Sequence, residues 1–261
     1  MKNFIKGSMV AAAMLMGASS FAQIQDEKNV TITMELVPIL QLNMNTPDQV
    51  NFVFDEIGEY IGGITKYGAT ILTASATVSF DLYASGTSGD HAGTPANRFW
   101  DVQVAYGIGA TGAIDALPLT ALELHQFPAD VNAGTGGLPD YGTAFAPVAA
   151  PVLGQNNVWV SPASAYDLPL ATERYIAGHL GNGEFVEGGS YLTAQGGVGV
   201  DANGNAYYFV IDYRIVPGLP AIFPIAATQL GVSEALDPLT GEYAQPGVYT
   251  MNVKYLMIEN Q

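Results

Sequence analysis

Along much of this chain, apolar and polar residues alternate one for one. Leu72, Ala74, Ala76, Val78, Phe80 and Leu82 alternate with Thr73, Ser75, Thr77, Ser79 and Asp81. A period of two over such a length predicts one long strand with a buried and a wet face. Trp100, Val102, Val104 and Tyr106 alternate with Asp101 and Gln103. Tyr207, Phe209, Ile211, Tyr213 and Ile215 do so with Asp212 and Arg214. Near the C-terminus Tyr249, Met251, Val253, Tyr255 and Met257 alternate with Thr250, Asn252 and Lys254, which predicts a closing strand with its odd positions in the core. Asn203-Gly204 lies between two strand-like runs and suits a tight hairpin turn. The best helical stretch is the short "TERYIAGHL", and the pattern predicts an all-β antiparallel sandwich.

The pattern changes between about residues 107 and 200, where Gly, Ala and Pro dominate and charge is sparse. Strand-like pieces survive there at Leu119 to Leu124 and Asn157 to Val160. This stretch is too apolar for a disordered linker. It reads as an insertion of long, packed loops in one sandwich domain spanning residues 38–261.

Ahead of that domain, Val30, Ile32, Met34 and Leu36 alternate with Thr31, Thr33 and Glu35, after the polar lead-in "QIQDEKN". Pro38, which cannot donate to a ladder, follows as a hinge or edge position. Two readings of residues 30–36 stay open here. They are the first strand of the chain's own sandwich, or a strand that residues 23–37 lay onto another molecule. In the second case the contact joins different surfaces of two copies, and repetition gives an open filament.

The first 22 residues have the features of a signal peptide. Lys2 and Lys6 precede a short apolar run, and Ser20-Phe21-Ala22 offers a cleavage site. The expected localisation is therefore secreted. Without Lys2 and Lys6, six basic residues face 24 acidic ones, a formal charge of −18 that disfavours nucleic acid as a partner. Cysteine is absent, which excludes disulfides, thiol chemistry and sulfur-ligated zinc.

Catalytic constellations are not evident. His91, His125 and His179 have no ligand-like neighbour at short spacing, and no nucleophile elbow, phosphate loop or zinc-protease motif occurs. Asp55 with Glu56, and Glu184 with Glu187, read as solvated loop charges. No enzyme is expected. In "DANGN", Asp201, Asn203 and Asn205 fall at alternate positions, as calcium ligands begin in loop sites. The distal glutamate of such a loop is missing, so a turn is expected and calcium is the weaker reading. Tyr207, Tyr208, Phe209, Tyr213, Trp100 and Trp159 suit either a carbohydrate groove or a core, with core favoured for the odd-numbered strand positions.

The stretch "EKNVTITMELVPILQL" resembles the N-terminal extension of major subunits of alpha-type (class 5) chaperone–usher fimbriae, at Glu27, Lys28, Asn29, Val30, Thr31, Ile32, Thr33, Pro38 and Ile39. Val37 stands where those subunits carry aspartate before the proline. The ending "AQPGVYTMNVKYLMIE" is also similar. The resemblance implies an Ig-like, pilin-like sandwich lacking one strand, which a neighbour supplies. Val30, Ile32, Met34 and Leu36 would then be the donor residues of a cell-surface homopolymer, with a periplasmic chaperone and an outer-membrane assembly protein as further partners. A monomeric secreted adhesin or carbohydrate-binding module is the alternative, and a small outer-membrane β-barrel is a further one.

Overall fold

The computed structural model describes residues 26–89, 99–107, 113–127, 141–145, 156–161, 169, 173–178, 186, 188–192, 207–216 and 243–259. The segment expected to be a signal peptide, the expected turn or calcium residues Asp201, Asn203 and Asn205, and His91, His179, Glu184 and Glu187 lie outside them. The chain divides into two units, Met1–Val37 and Pro38–Gln261.

In the second unit the fold is all-β, with antiparallel sheets packed as a sandwich. One sheet is built on β2 (Ile64–Ala76), which pairs with β1 (Leu40–Met44) on one side and β8 (Tyr208–Ile215) on the other. β6 (Leu122–Phe127) follows β8, and β7 (Gly189–Ser190) joins β2 at Ser75 and Ala76. The second layer pairs β3 (Phe80–Thr87) with β11 (Asn252–Glu259). β4 (Asp101–Ala105) pairs with β10 (Gly247–Thr250), and the two-residue strands β5 (Ala113–Ile114) and β9 (Tyr243–Ala244) pair in parallel.

The period-two pattern builds the core directly. Leu72, Ala74, Leu122, Leu124, Phe209, Ile211, Tyr213 and Ile215 from the first sheet are buried with Phe80, Leu82 and Ala84 from β3. Across that core the Tyr213 hydroxyl bonds the Thr70 hydroxyl at 2.8 Å and also meets the Tyr255 hydroxyl of β11, tying the two sheets together. Burial pushes both phenols above their ordinary value of 10.0, and at Tyr255 the neighbouring Tyr213 phenol adds to the rise. A phenol harder to ionise when folded contributes stability that is intact below the unfolded value and is lost as pH climbs through the folded one. Alkaline unfolding is therefore expected to set in above pH 10.0 and to coincide with the rise of phenolate absorbance. A Tyr213→Phe, Tyr255→Phe double variant with an unchanged alkaline transition would remove this pair as the cause.

Five expectations are corrected. The alternation from Leu72 to Leu82 is not one strand: it breaks at residues 77–79, and the chain crosses from β2 in one sheet to β3 in the other. Both strands keep their apolar phase across the break, so periodicity alone misses the crossing. The wet faces are also mistaken. Thr73, Asp81, Asp212 and Arg214 are buried, whereas Thr77 is exposed. "TERYIAGHL" forms no helix over its described residues, where Tyr175 and Ala177 are in β-bridges, with Ala177 paired to Leu82. A helix does form at α1 (Ile57–Gly62), where Glu59 accepts the Asp55 and Glu56 amides at 2.9 and 3.2 Å. Glu56 caps this helix, and it and Asp55 are solvent-exposed, as the sequence reading expected. Those two backbone bonds, Asp55 first, hold the Glu59 carboxyl below its ordinary value.

The closing strand is the fifth. It is two strands, and Met251 between them marks the passage from pairing with β4 to pairing with β3. Met251, Val253, Tyr255 and Met257 pack on the core. Tyr249 stays with β4, its hydroxyl donating to the Gln245 carbonyl at 2.5 Å. The register shift at Val248/Tyr249 supplies the bend that a strand needs to change sheets.

Beneath the insertion, the outer face of the β6–β8 pair carries charge. Arg214 Nε donates to Glu123 Oε2 at 2.7 Å, and the guanidinium lies 4.7 Å from the centre of the Phe145 ring. Two rungs along the ladder, on the same face, His125 Nδ1 lies 3.1 Å from Asp212 Oδ2. The other Asp212 oxygen accepts the Gly68 amide at 2.6 Å. Gly68 sits at φ 59 where β2 slips register between Lys66 and Thr70, a left-handed conformation that glycine adopts without a Cβ penalty.

Candidate functional site

The first unit is described from Asp26 to Val37. It contains no helix, strand or bridge among these residues. Val30, Ile32, Met34 and Leu36 are 85, 87, 78 and 85 % exposed. Four large apolar residues at alternate positions, all in solvent, is an uncommon arrangement, because each left out forgoes about 1.5–3 kcal/mol of burial.

Pairing begins immediately after Pro38. The Ile39 amide donates to Thr77 Oγ1 at 2.8 Å, and the Thr77 amide donates to the Ile39 carbonyl at 3.0 Å. Proline has no amide to give, so the ladder of β1 starts beyond it. Pro38 therefore marks the boundary between the two units.

Among the described residues several strands of the second unit pair with one strand only, β4, β10, β5 and β9 among them. Two more are β1, which pairs with β2, and β11, which pairs with β3. These are outer strands of different sheets, and both carry apolar side chains into the same core. On β1 the inward residues are Leu40 and Leu42, and on β11 they are Val253, Tyr255 and Met257. All five are only half-buried, whereas their ladder partners Ala74, Leu82 and Ala84 are fully buried. Along this side β1 and β11 approach each other, and these inward side chains are less buried than those across the ladder. An edge strand of this kind carries backbone donors and acceptors with apolar side chains beside them.

Sequence reasoning singled out the exposed segment by its alternation and proline. It placed residues of β11 in the core but had no signal for β1 as the facing edge, since edges are set by strand order rather than by local pattern. The His125–Asp212 and Glu123–Arg214 pairs were also missed, being 87 and 91 residues apart in sequence. Among the described residues no cluster of three or more potential ligands for a metal ion occurs. No protein-family model matches this chain, and no curated protein matches it in sequence.

Proposed function

We propose that this protein is a structural subunit of an extracellular surface filament, assembled head to tail. Residues 30–36 of one copy lie as an added strand along the β1 and β11 side of the next. The observation that carries this reading is the exposure of Val30, Ile32, Met34 and Leu36 in a segment without secondary structure. Their alternation would put four apolar side chains on the half-buried residues of β1 and β11 and leave Thr31, Thr33 and Glu35 outward. The pilin-like sandwich implied by the sequence resemblance belongs to the same proposal, as do export through the signal peptide and the absence of catalysis.

The lack of native cysteine makes the test clean. A donor strand beside β11 would bring Thr33 onto the same face as Lys254, Leu256 and Ile258, which point away from the core side of that strand. Thr33→Cys combined in turn with Lys254→Cys, Leu256→Cys or Ile258→Cys is expected to give disulfide-linked ladders under oxidation in at least one pairing. The single variants should give dimers at most. Disulfide geometry needs Cβ atoms about 3.5–4.5 Å apart, so register decides which pairing succeeds. Intramolecular disulfides alone would instead mean that the strand pairs within its own chain, and the monomeric secreted module would become the better reading.

A further inference from the structure

Pieces of the insertion that follow β6, at Tyr141, residues 156–159, Ala177 and Val186, run along two strand edges. At β6 the Leu124 amide donates to the Asn156 carbonyl at 2.9 Å, the Val158 amide to Leu122 at 2.9 Å, and the Gln126 amide to Tyr141 at 2.7 Å. At β3 the Phe80 amide donates to Val186 at 2.9 Å, the Leu82 amide to Ala177 at 2.8 Å, and the Gly86 amide to Trp159 at 2.8 Å. None of these partners belongs to a strand; they are isolated bridges and single bonds. The piece from Asn156 to Trp159 touches both edges, so it stitches together the two sheets on that side.

Side chains fasten these pieces. Asn157 Nδ2 donates to the Thr120 carbonyl, and Arg174 donates to the Asn157 carbonyl at 2.9 Å. The Tyr141 hydroxyl accepts the Trp159 amide at 2.8 Å. Gly178 fits against β3 at φ 90, where an added Cβ would stand 2.2 Å from Asp81 Oδ1 and 2.9 Å from its Cα. Only glycine allows that approach.

We propose that these pieces of the insertion are an edge guard, which withholds the β3 and β6 edges from strands of other copies. An irregular cover satisfies the edge groups without itself offering a new flat edge, which is how natural sheets avoid side-by-side association. The identity of the excluded strand rests on the proposed donor mechanism; the guarding of the edges does not.

The test separates the two by using the full chain carrying Ile32→Asp, in which donor-driven assembly is blocked. Adding Gly178→Ala should lift residues 175–178 from β3. Exchange of the Leu82 amide should quicken by about tenfold or more, since its cover is one ordinary hydrogen bond. Light scattering should then show concentration-dependent association that the Ile32→Asp parent lacks. Adding Asn157→Ala instead should do the same at β6, read at the Leu124 amide, and it decides the matter if Gly178→Ala does not fold. Quickened exchange with a chain that stays monomeric overturns the proposal. Unchanged protection in both variants overturns it too, because the named contacts would then not be what holds the cover in place. Whether the parent chain without Ile32→Asp forms filaments is scored separately, so failure of the donor mechanism leaves this result readable.

Discussion

A chain lacking residues Gln23 to Val37 is expected to form no polymers, and a synthetic peptide spanning Asn29 to Val37 is expected to bind and cap it. Four apolar side chains, each worth about 1.5–3 kcal/mol on full burial, give the added strand a gross contribution of about 6–12 kcal/mol. That rivals the whole net stability of a typical domain, about 5–15 kcal/mol. The exposed state of Val30, Ile32, Met34 and Leu36 means that none of this gain is realised within the described chain. The peptide should therefore raise the melting temperature of the truncated subunit in a concentration-dependent way. Ile32→Asp in the peptide should abolish the effect, since a carboxylate would enter an apolar site unpaired. Negative-stain microscopy and gel filtration read the polymer, and thermal melts read the peptide. Filaments from the truncated chain would sink the donor role outright.

The second large effect is expected at the buried ion pair. Glu123→Leu removes the carboxylate that accepts Arg214 Nε on a face where Glu123 is 0 % and Arg214 3 % exposed. Breaking one side of such a pair costs about 3–5 kcal/mol, whereas replacing both members with apolar residues is often close to neutral. Glu123→Leu alone should therefore lower the urea midpoint sharply, and Glu123→Leu with Arg214→Met should restore much of it. Arg174 complicates the site in an informative way. Burial lowers its pKa, while the nearby Tyr141 phenol and the Glu123 carboxylate act in the opposite sense. Loss of Glu123 should thus loosen the insertion as well as the sheet, visible as faster exchange at residues 156–158. Equal, small effects of the single and double changes would mean that water reaches the pair.

Much of the fold was legible because β-strands write themselves as alternation. Residues 207–215 and 252–257 have the predicted phase, with Phe209, Ile211 and Tyr213 buried and Val253, Tyr255 and Met257 against the core. The failures share a cause. Alternation reports which residues face apart, but not which sheet a strand joins or what covers its polar face. Hence residues 72–82 passed for one strand, and Tyr249 was grouped with Val253 although a bulge sends them to different partners. Asp81 and Asp212 passed for solvated residues although both are buried, with Gly178 against the first and His125 of β6 against the second. For the candidate site the same division holds. The exposed segment is a local pattern and can be read from residues 26–38, whereas the β1 and β11 edges exist only once the strand order is known.

The junction after the exposed segment has a mechanical consequence. Only Val37, Pro38 and Ile39 separate Leu36 from the first residue of β1, a span of about 13–14 Å when fully extended. In a filament assembled as proposed, tension would pass along this backbone with almost no slack and enter β1 at its N-terminal end. β1 is held to β2 by an antiparallel ladder from Leu40 to Met44, so a pull along the strand loads all of its rungs together in shear instead of peeling them one at a time. The ring of Pro38 further limits rotation at the joint. Such a fibre would behave as a stiff tether with high resistance to stretch, and lengthening the joint with a few glycines would make it slack and pliable while leaving each subunit as strong as before.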